Sequence, residues 1–288
     1  MANVGVSVLK ILGFFALSAA LTAAVVMGAI AFGGEGFYAI RGVRVSMEIA
    51  LAIAVVIPLI VMARFVDKRP LSTLGFGPPR LFDLFTGTVI GAAILLAPLG
   101  VLLAIGAARY APDLSSFAPE ALALGVLLCF FNVVTQNVLV RSYVFQELWA
   151  KYGAWIATGV TTAIFVALHA APITSGGTKG LIAGANVLLA SLLLSLAYVR
   201  TGQLWLAIGI HFGWNGLQGP VLNINVTGSE LAFGHWRLFE FPGDPLLTGG
   251  AMGIEGGLVG LIGPLTGLAI VAFAFKQQPK PSFAANAQ

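Results

Sequence analysis

The chain has 288 residues, 58% of them hydrophobic and only 9% charged, with a mean hydropathy of +0.96. A soluble globular chain carries about a quarter charged residues, so a soluble domain of any size is excluded and a membrane-embedded chain is expected. The formal net charge of +4 reads as a membrane-orientation signature and not as the footprint of a nucleic-acid binder.

A hydrocarbon core of about 30 Å is crossed by roughly 20 apolar residues in a helix. Runs of this kind predict eight helices, over 6–33, 45–65, 85–108, 119–150, 154–171, 180–199, 203–218 and 254–275. The fifth and seventh are short and the fourth is long, so seven or eight transmembrane helices are expected in an all-α polytopic membrane protein. The first run, 11–33, exceeds the roughly 7–15 residues of a signal-peptide core, and Lys10 alone makes a thin basic flank. It is read as a retained helix.

The longest polar connections are 66–84 and 219–253. The first holds Arg69-Pro70, Gly75, Gly77 and Pro78-Pro79 and is expected as a turn-rich loop against the bilayer surface. The second carries Glu230, Glu240 and Asp244. The tail 276–288, with Pro279 and Pro281, is expected to be disordered and cytoplasmic. With the N-terminus inside, ten of the fifteen Lys and Arg residues fall on the cytoplasmic side, which favours both termini in the cytoplasm, as in a bacterial-type plasma membrane. The single cysteine, Cys129, permits no internal disulfide.

Inside the apolar runs stand Gln136, Asn137, His169, His211 and Asn215. Such groups are costly in hydrocarbon and mark functional sites. The fourth and fifth helices form a hairpin turning near Tyr152-Gly153. Gln136 and His169 each lie about 25 Å from that turn, at about 1.5 Å per residue, and so at one depth. Asn215 reaches a similar level on the seventh helix, with His211 one turn nearer the cytoplasm. Asn132 and Gln136 share one stripe of the fourth helix, Asn137 and Arg141 another, and His211, Asn215 and Gln218 share a face of the seventh.

The bland alternative is interhelical glue, in which each amide or imidazole contributes about 0.6 kcal/mol. Arg141 can snorkel to the interface, but it lies more than two turns inside the predicted helix end, so an inward role is expected. His169 and His211 are weak metal candidates, because zinc normally takes three or four protein ligands. A divalent metal therefore stays open, and no cofactor is expected. His235 is expected at the surface.

The residues Gln136-Asn137-x-x-x-Arg141, Phe165-x-x-x-His169 and His211-x-x-x-Asn215 follow one another on separate helices. In order and spacing they resemble the CPBP family of intramembrane proteases, which includes the type II CAAX prenyl endopeptidases and bacteriocin-processing enzymes. That family reads Glu-Glu-x-x-x-Arg, Phe-x-x-x-His and His-x-x-x-Asn. Leu74-Gly75-Phe76 and Tyr152-Gly153 are similar as well. The resemblance covers roughly 70–275, giving a CPBP protease-like core preceded by two N-terminal helices over 1–69. It implies a membrane-embedded or prenylated peptide as substrate, membrane lipid as surroundings, and no nucleic-acid partner.

The resemblance also implies roles. The first motif glutamate, with His169, activates a water; His211 and Asn215 stabilise the oxyanion. Here both glutamates are absent. Gln136 keeps the shape of a glutamate but accepts no proton, and a positioned general base is worth about 10²–10⁴ in rate. The pair therefore reads as an inactivating substitution or as a lineage with altered chemistry. His169 alone has a suitable free pKa of about 6.5. Glu255 is a candidate substitute carboxylate, weighed against an ordinary loop-to-helix junction. A weakened endopeptidase and a non-catalytic peptide-binding chaperone or scaffold both follow from this pattern. A transporter is disfavoured, since no intramembrane acid and base pair up as an ion relay.

Overall fold

The computed structural model describes residues 4–33, 40–231 and 233–276. The expected disordered tail, apart from Lys276, lies outside the described residues. Each of the eight expected apolar segments contains helix: α1 (Val4–Gly33), α2 (Arg41–Val61), α3 (Leu81–Ala104), α4 (Pro119–Arg141), α5 (Tyr143–Tyr152), α6 (Ala154–Leu168), α7 (Ala170–Ser175), α8 (Gly177–Thr201), α9 (Leu204–Gly216), α10 (Pro245–Thr248) and α11 (Ile262–Ala274). Among the described residues five spans are long and apolar enough to cross a membrane: α1, α2 with its extension, α3, α4 with α5, and α8. The helices α6, with 15 residues, α9 and α11, with 13 each, are shorter. Large apolar side chains such as Trp155 and Phe273, 92% and 90% exposed, stand outward as lipid-facing groups would. The chain is an all-α polytopic membrane protein.

Four boundaries differ from expectation, and each has a local cause. The long fourth helix breaks at Ser142 (φ −88°, ψ −94°), whose hydroxyl donates to the Val138 carbonyl and competes with the helix ladder. Arg141 is thus the last residue of α4 and not a mid-helix residue. The fifth helix breaks at His169. Its ring Nδ1 takes the Phe165 carbonyl at 2.8 Å, so its own backbone N–H falls back to Val166 at 3.0 Å. The seventh helix widens after Gly216 into a π-turn over Leu217–Val221, where Pro220 has no N–H to give the helix ladder. The eighth begins only at Ile262, because the glycine-rich stretch before it forms three 3₁₀ turns, Gly250–Met252, Ile254–Gly256 and Leu258–Leu261.

One element has no counterpart in the helix pattern. The strands β1 (Arg109–Asp113) and β2 (Arg237–Glu240) pair antiparallel, with Arg109 opposite Glu240. The hydrogen bond from Arg109, with Arg237 also near, holds the Glu240 carboxyl below the usual carboxylate range. The loop 66–84 is tied into protein: Gly77 N–H donates to Gln203 Oε1 at 2.8 Å, Leu204 N–H donates to the Gly75 carbonyl at 3.1 Å, and Leu74 is fully buried.

Helix α2 packs on α4, and α1 on α2 and α5. At one end of the bundle Lys10 pairs with Asp67 at 2.6 Å, Arg69 joins Asp67 at 3.1 Å, and Lys151 bonds Glu147 and Ser7. At the other end Arg44 donates to the Glu230 carbonyl beside the two-stranded sheet.

The tightest helix contact joins α3 and α9. A Cβ on Gly91 would lie 2.1 Å from the Ile210 carbonyl oxygen, and one on Gly213 2.1 Å from that of Thr88. Helices that touch backbone to backbone in a membrane need such small residues. Because α9 carries His211 and Asn215, this contact fixes their depth and rotation. Gly213→Ala is expected to cost about 1–3 kcal/mol through overpacking and so to lower the thermal unfolding midpoint in detergent. Gly100→Ala, with open space around its Cβ position, serves as the control. Equal midpoints for the two variants would contradict the close-contact account.

Candidate functional site

Helices α4, α6, α8 and α9 surround a cavity of about 270 Å³. Its wall is mostly apolar, with Ile94, Val187, Leu193, Leu194 and Ile210 among the lining residues. Gln136, His169, His211 and Asn215 all line it, so the depth matching read from the sequence brings them to one chamber. Asn137 and Arg141 are fully buried and lie outside the lining.

Asn137 Nδ2 donates to the Val133 carbonyl at 2.9 Å and meets His211 Nδ1 at 3.1 Å. Its two amide protons serve both contacts, so His211 Nδ1 is the acceptor. A neutral imidazole has one N–H, which then sits on Nε2. Asn215 Nδ2 lies 3.2 Å from that nitrogen; since two N–H groups cannot bond each other, the Asn215 amide is assigned the reverse orientation, with its carbonyl oxygen toward Nε2. The Asn215 NH₂ group is left free to donate into the cavity. His211 is thereby clamped from α4 and from its own helix.

The second imidazole has the opposite tautomer. His169 Nδ1 faces the Phe165 carbonyl, which can only accept, so Nδ1 carries the proton and Nε2 keeps a bare lone pair. Phe165 supports both rings, with centroids 4.7 Å from His169 and 6.0 Å from His211. Beneath it lies the Arg141 guanidinium, 4.6 Å from the ring centroid, donating from Nη2 to Ser191 Oγ at 2.8 Å. Thr162 Oγ1 bonds the same Ser191 hydroxyl at 3.1 Å. Arg141 thus points inward and joins α4, α6 and α8.

Gln136 Nε2 donates to Asn132 Oδ1 at 2.7 Å, while its buried Oε1 has no partner. Asn132 in turn approaches Glu48 of α2 at 3.4 Å. Gln218, expected on the face of His211, sits in the π-turn and bonds the Asn225 carbonyl at 2.5 Å. His235 is exposed. Among the described residues no three His, Cys, Asp or Glu side chains gather as a metal site.

Three lining residues escaped the motif reading. Asn186 of α8 is buried, and its Nδ2 has no partner. A polar residue inside an apolar helix was the same signal that picked out Gln136. Thr227 and Ser229 come from the 219–253 loop, which folds back over the cavity. No linear pattern announces that fold-back.

The family model for type II CAAX prenyl endopeptidase Rce1-like proteins matches residues 118–217. No curated protein matches the chain, and no solved structure does. The matched stretch runs from the start of α4 to just past α9 and holds all three motifs. Over that stretch, about a third of the chain, the protein is similar to type II CAAX prenyl endopeptidase Rce1-like proteins.

Proposed function

We propose that this protein takes a membrane-embedded or prenylated peptide into the cavity and hydrolyses it slowly, because amides replace the water-activating carboxylates. The observation that carries the reading is the set of free valences in one apolar chamber. His169 Nε2 and Gln136 Oε1 accept; the Asn215 and Asn186 amides donate. A water donating one proton to either of the first two keeps its second proton for a further acceptor and presents a lone pair for attack. The Asn215 amide, locked by His211, is placed to donate to a developing oxyanion. Arg141 and Phe165 position His169 from behind.

A second reading is a pseudoprotease that binds membrane peptides as a chaperone or scaffold. It draws on Asn137, whose NH₂ group is divided between the Val133 carbonyl and His211 Nδ1 and so has a structural occupation of its own. The two readings separate in one assay. Purified protein in liposomes is offered a fluorogenic library of membrane-inserting peptides, farnesylated and plain, beside a Gln136→Glu, Asn137→Glu variant. The variant is expected to cleave faster, by up to about 10²–10⁴. Binding by both without cleavage by either supports the scaffold; neither binding nor cleavage overturns both readings.

We further propose that the face holding Lys10, Asp67 and Lys151 lies in the cytoplasm, as the basic-residue bias favours. A cysteine at exposed Asp113 should then react with an impermeant thiol reagent in intact cells, and one at exposed Arg64 only after lysis. The reverse pattern overturns the orientation. Buried Cys129 does not interfere.

A further inference from the structure

We infer that Glu255 is a catalytic base of this cavity, accepting the proton of the attacking water in place of the carboxylates absent at positions 136 and 137. The inference rests on the reading of the cavity as a peptide-hydrolysing site. Glu255 lies outside the stretch matched by the family model, and no part of the motif pattern assigns it.

Three observations support the role. First, Glu255 is the one acid among the residues lining the cavity, which it shares with His169, His211 and Asn215. Second, it is only 7% exposed, and no cation pairs with it among the described residues. Its oxygens accept from neutral donors alone: Trp214 Nε1 at 2.7 Å, Thr227 Oγ1 at 2.5 Å and the Thr227 backbone N–H. An ionised carboxylate offers about four lone-pair sites, so it can still accept one more proton donor. A buried acid without a cation is costly to keep and is characteristic of functional sites. Third, the backbone around it is closed. A Cβ at Gly253 (φ +78°) would fall 1.9 Å from the Asn225 carbonyl oxygen, and one at Gly257 2.1 Å from that of Leu247. The turn between these glycines sends the side chain of position 255 into the cavity.

The bond to Trp214 also ties the carboxylate to the residue next to Asn215. The base and the oxyanion donor are therefore referred to the same turn of α9. In the proposed step the water oxygen bonds to the peptide carbonyl carbon as one water proton passes to the Glu255 carboxylate. The tetrahedral oxyanion is held by the Asn215 amide. As the oxyanion collapses, the C–N bond breaks and Glu255 returns the proton to the leaving nitrogen, giving a carboxylic acid and an amine with Glu255 regenerated.

An anchoring role makes a different prediction, because glutamine at 255 can accept from Trp214 as glutamate does. The test compares four proteins in phosphatidylcholine–phosphatidylglycerol liposomes on the same peptide library: the parent, E255Q, the Gln136→Glu, Asn137→Glu variant, and the three changes together. The expected result is slow cleavage by the parent, at least tenfold loss in E255Q with peptide binding kept, and cleavage by the triple variant, whose restored carboxylates bypass position 255. Unchanged cleavage by E255Q overturns the inference. Loss in both backgrounds makes Glu255 an anchor and overturns it too. No cleavage by the parent alongside cleavage by the double variant overturns the role of Glu255 but leaves the protease reading standing. Absence of both cleavage and binding in all four removes that reading as well.

Discussion

A polar group carried into hydrocarbon needs a partner, and that requirement organises the interior of this protein. The Arg141 guanidinium is placed against Ser191 and the face of Phe165, and His211 is held between two amides. These bonds cross from α4 to α8 and from α4 to α9, so satisfying the polar groups also fixes the helices that enclose the cavity. Where partners run out, as at Gln136 Oε1 and Asn186 Nδ2, the unsatisfied atoms line the same chamber.

Rigidity comes from a different source. The glycine faces of α3 and α9 bring backbone against backbone, and such a contact leaves no room for the helices to slide or turn. The imidazole tautomers follow from that fixed frame. His169 has its proton drawn to Nδ1 by the Phe165 carbonyl, while His211 has its proton driven to Nε2 by Asn137. One ring therefore accepts toward the cavity, and the other holds a donor in place.

Much of this was legible in the residues. Each apolar run contains a helix, and five spans among the described residues are long and apolar enough to cross a membrane; helical rise placed Gln136, His169 and Asn215 at one depth because antiparallel neighbours share a common origin at their turn. The breaks were not legible. Ser142 and His169 interrupt their helices through side-chain bonds to a carbonyl four residues back, and hydropathy is blind to which carbonyl a side chain takes. The short pairing of Arg109–Asp113 with Arg237–Glu240 joins segments more than a hundred residues apart, beyond any local pattern. Glu255 shows the same limit: its residue type could be read, but its arrival in the cavity depends on glycine turns packed against distant carbonyls.

The account stands on the cavity being a peptide site that opens toward lipid. Leu168 lines it and is 51% exposed, whereas Leu181, 69% exposed, lies on α8 away from the lining. A photoreactive residue at each position, in protein reconstituted with a biotinylated membrane-inserting peptide, tests this directly. Cross-linking at 168 that a tenfold excess of unlabelled peptide suppresses, with only background at 181, is the expected result. Equal, uncompetable cross-linking at both positions would mean that peptide merely diffuses past the protein, and would contradict the account.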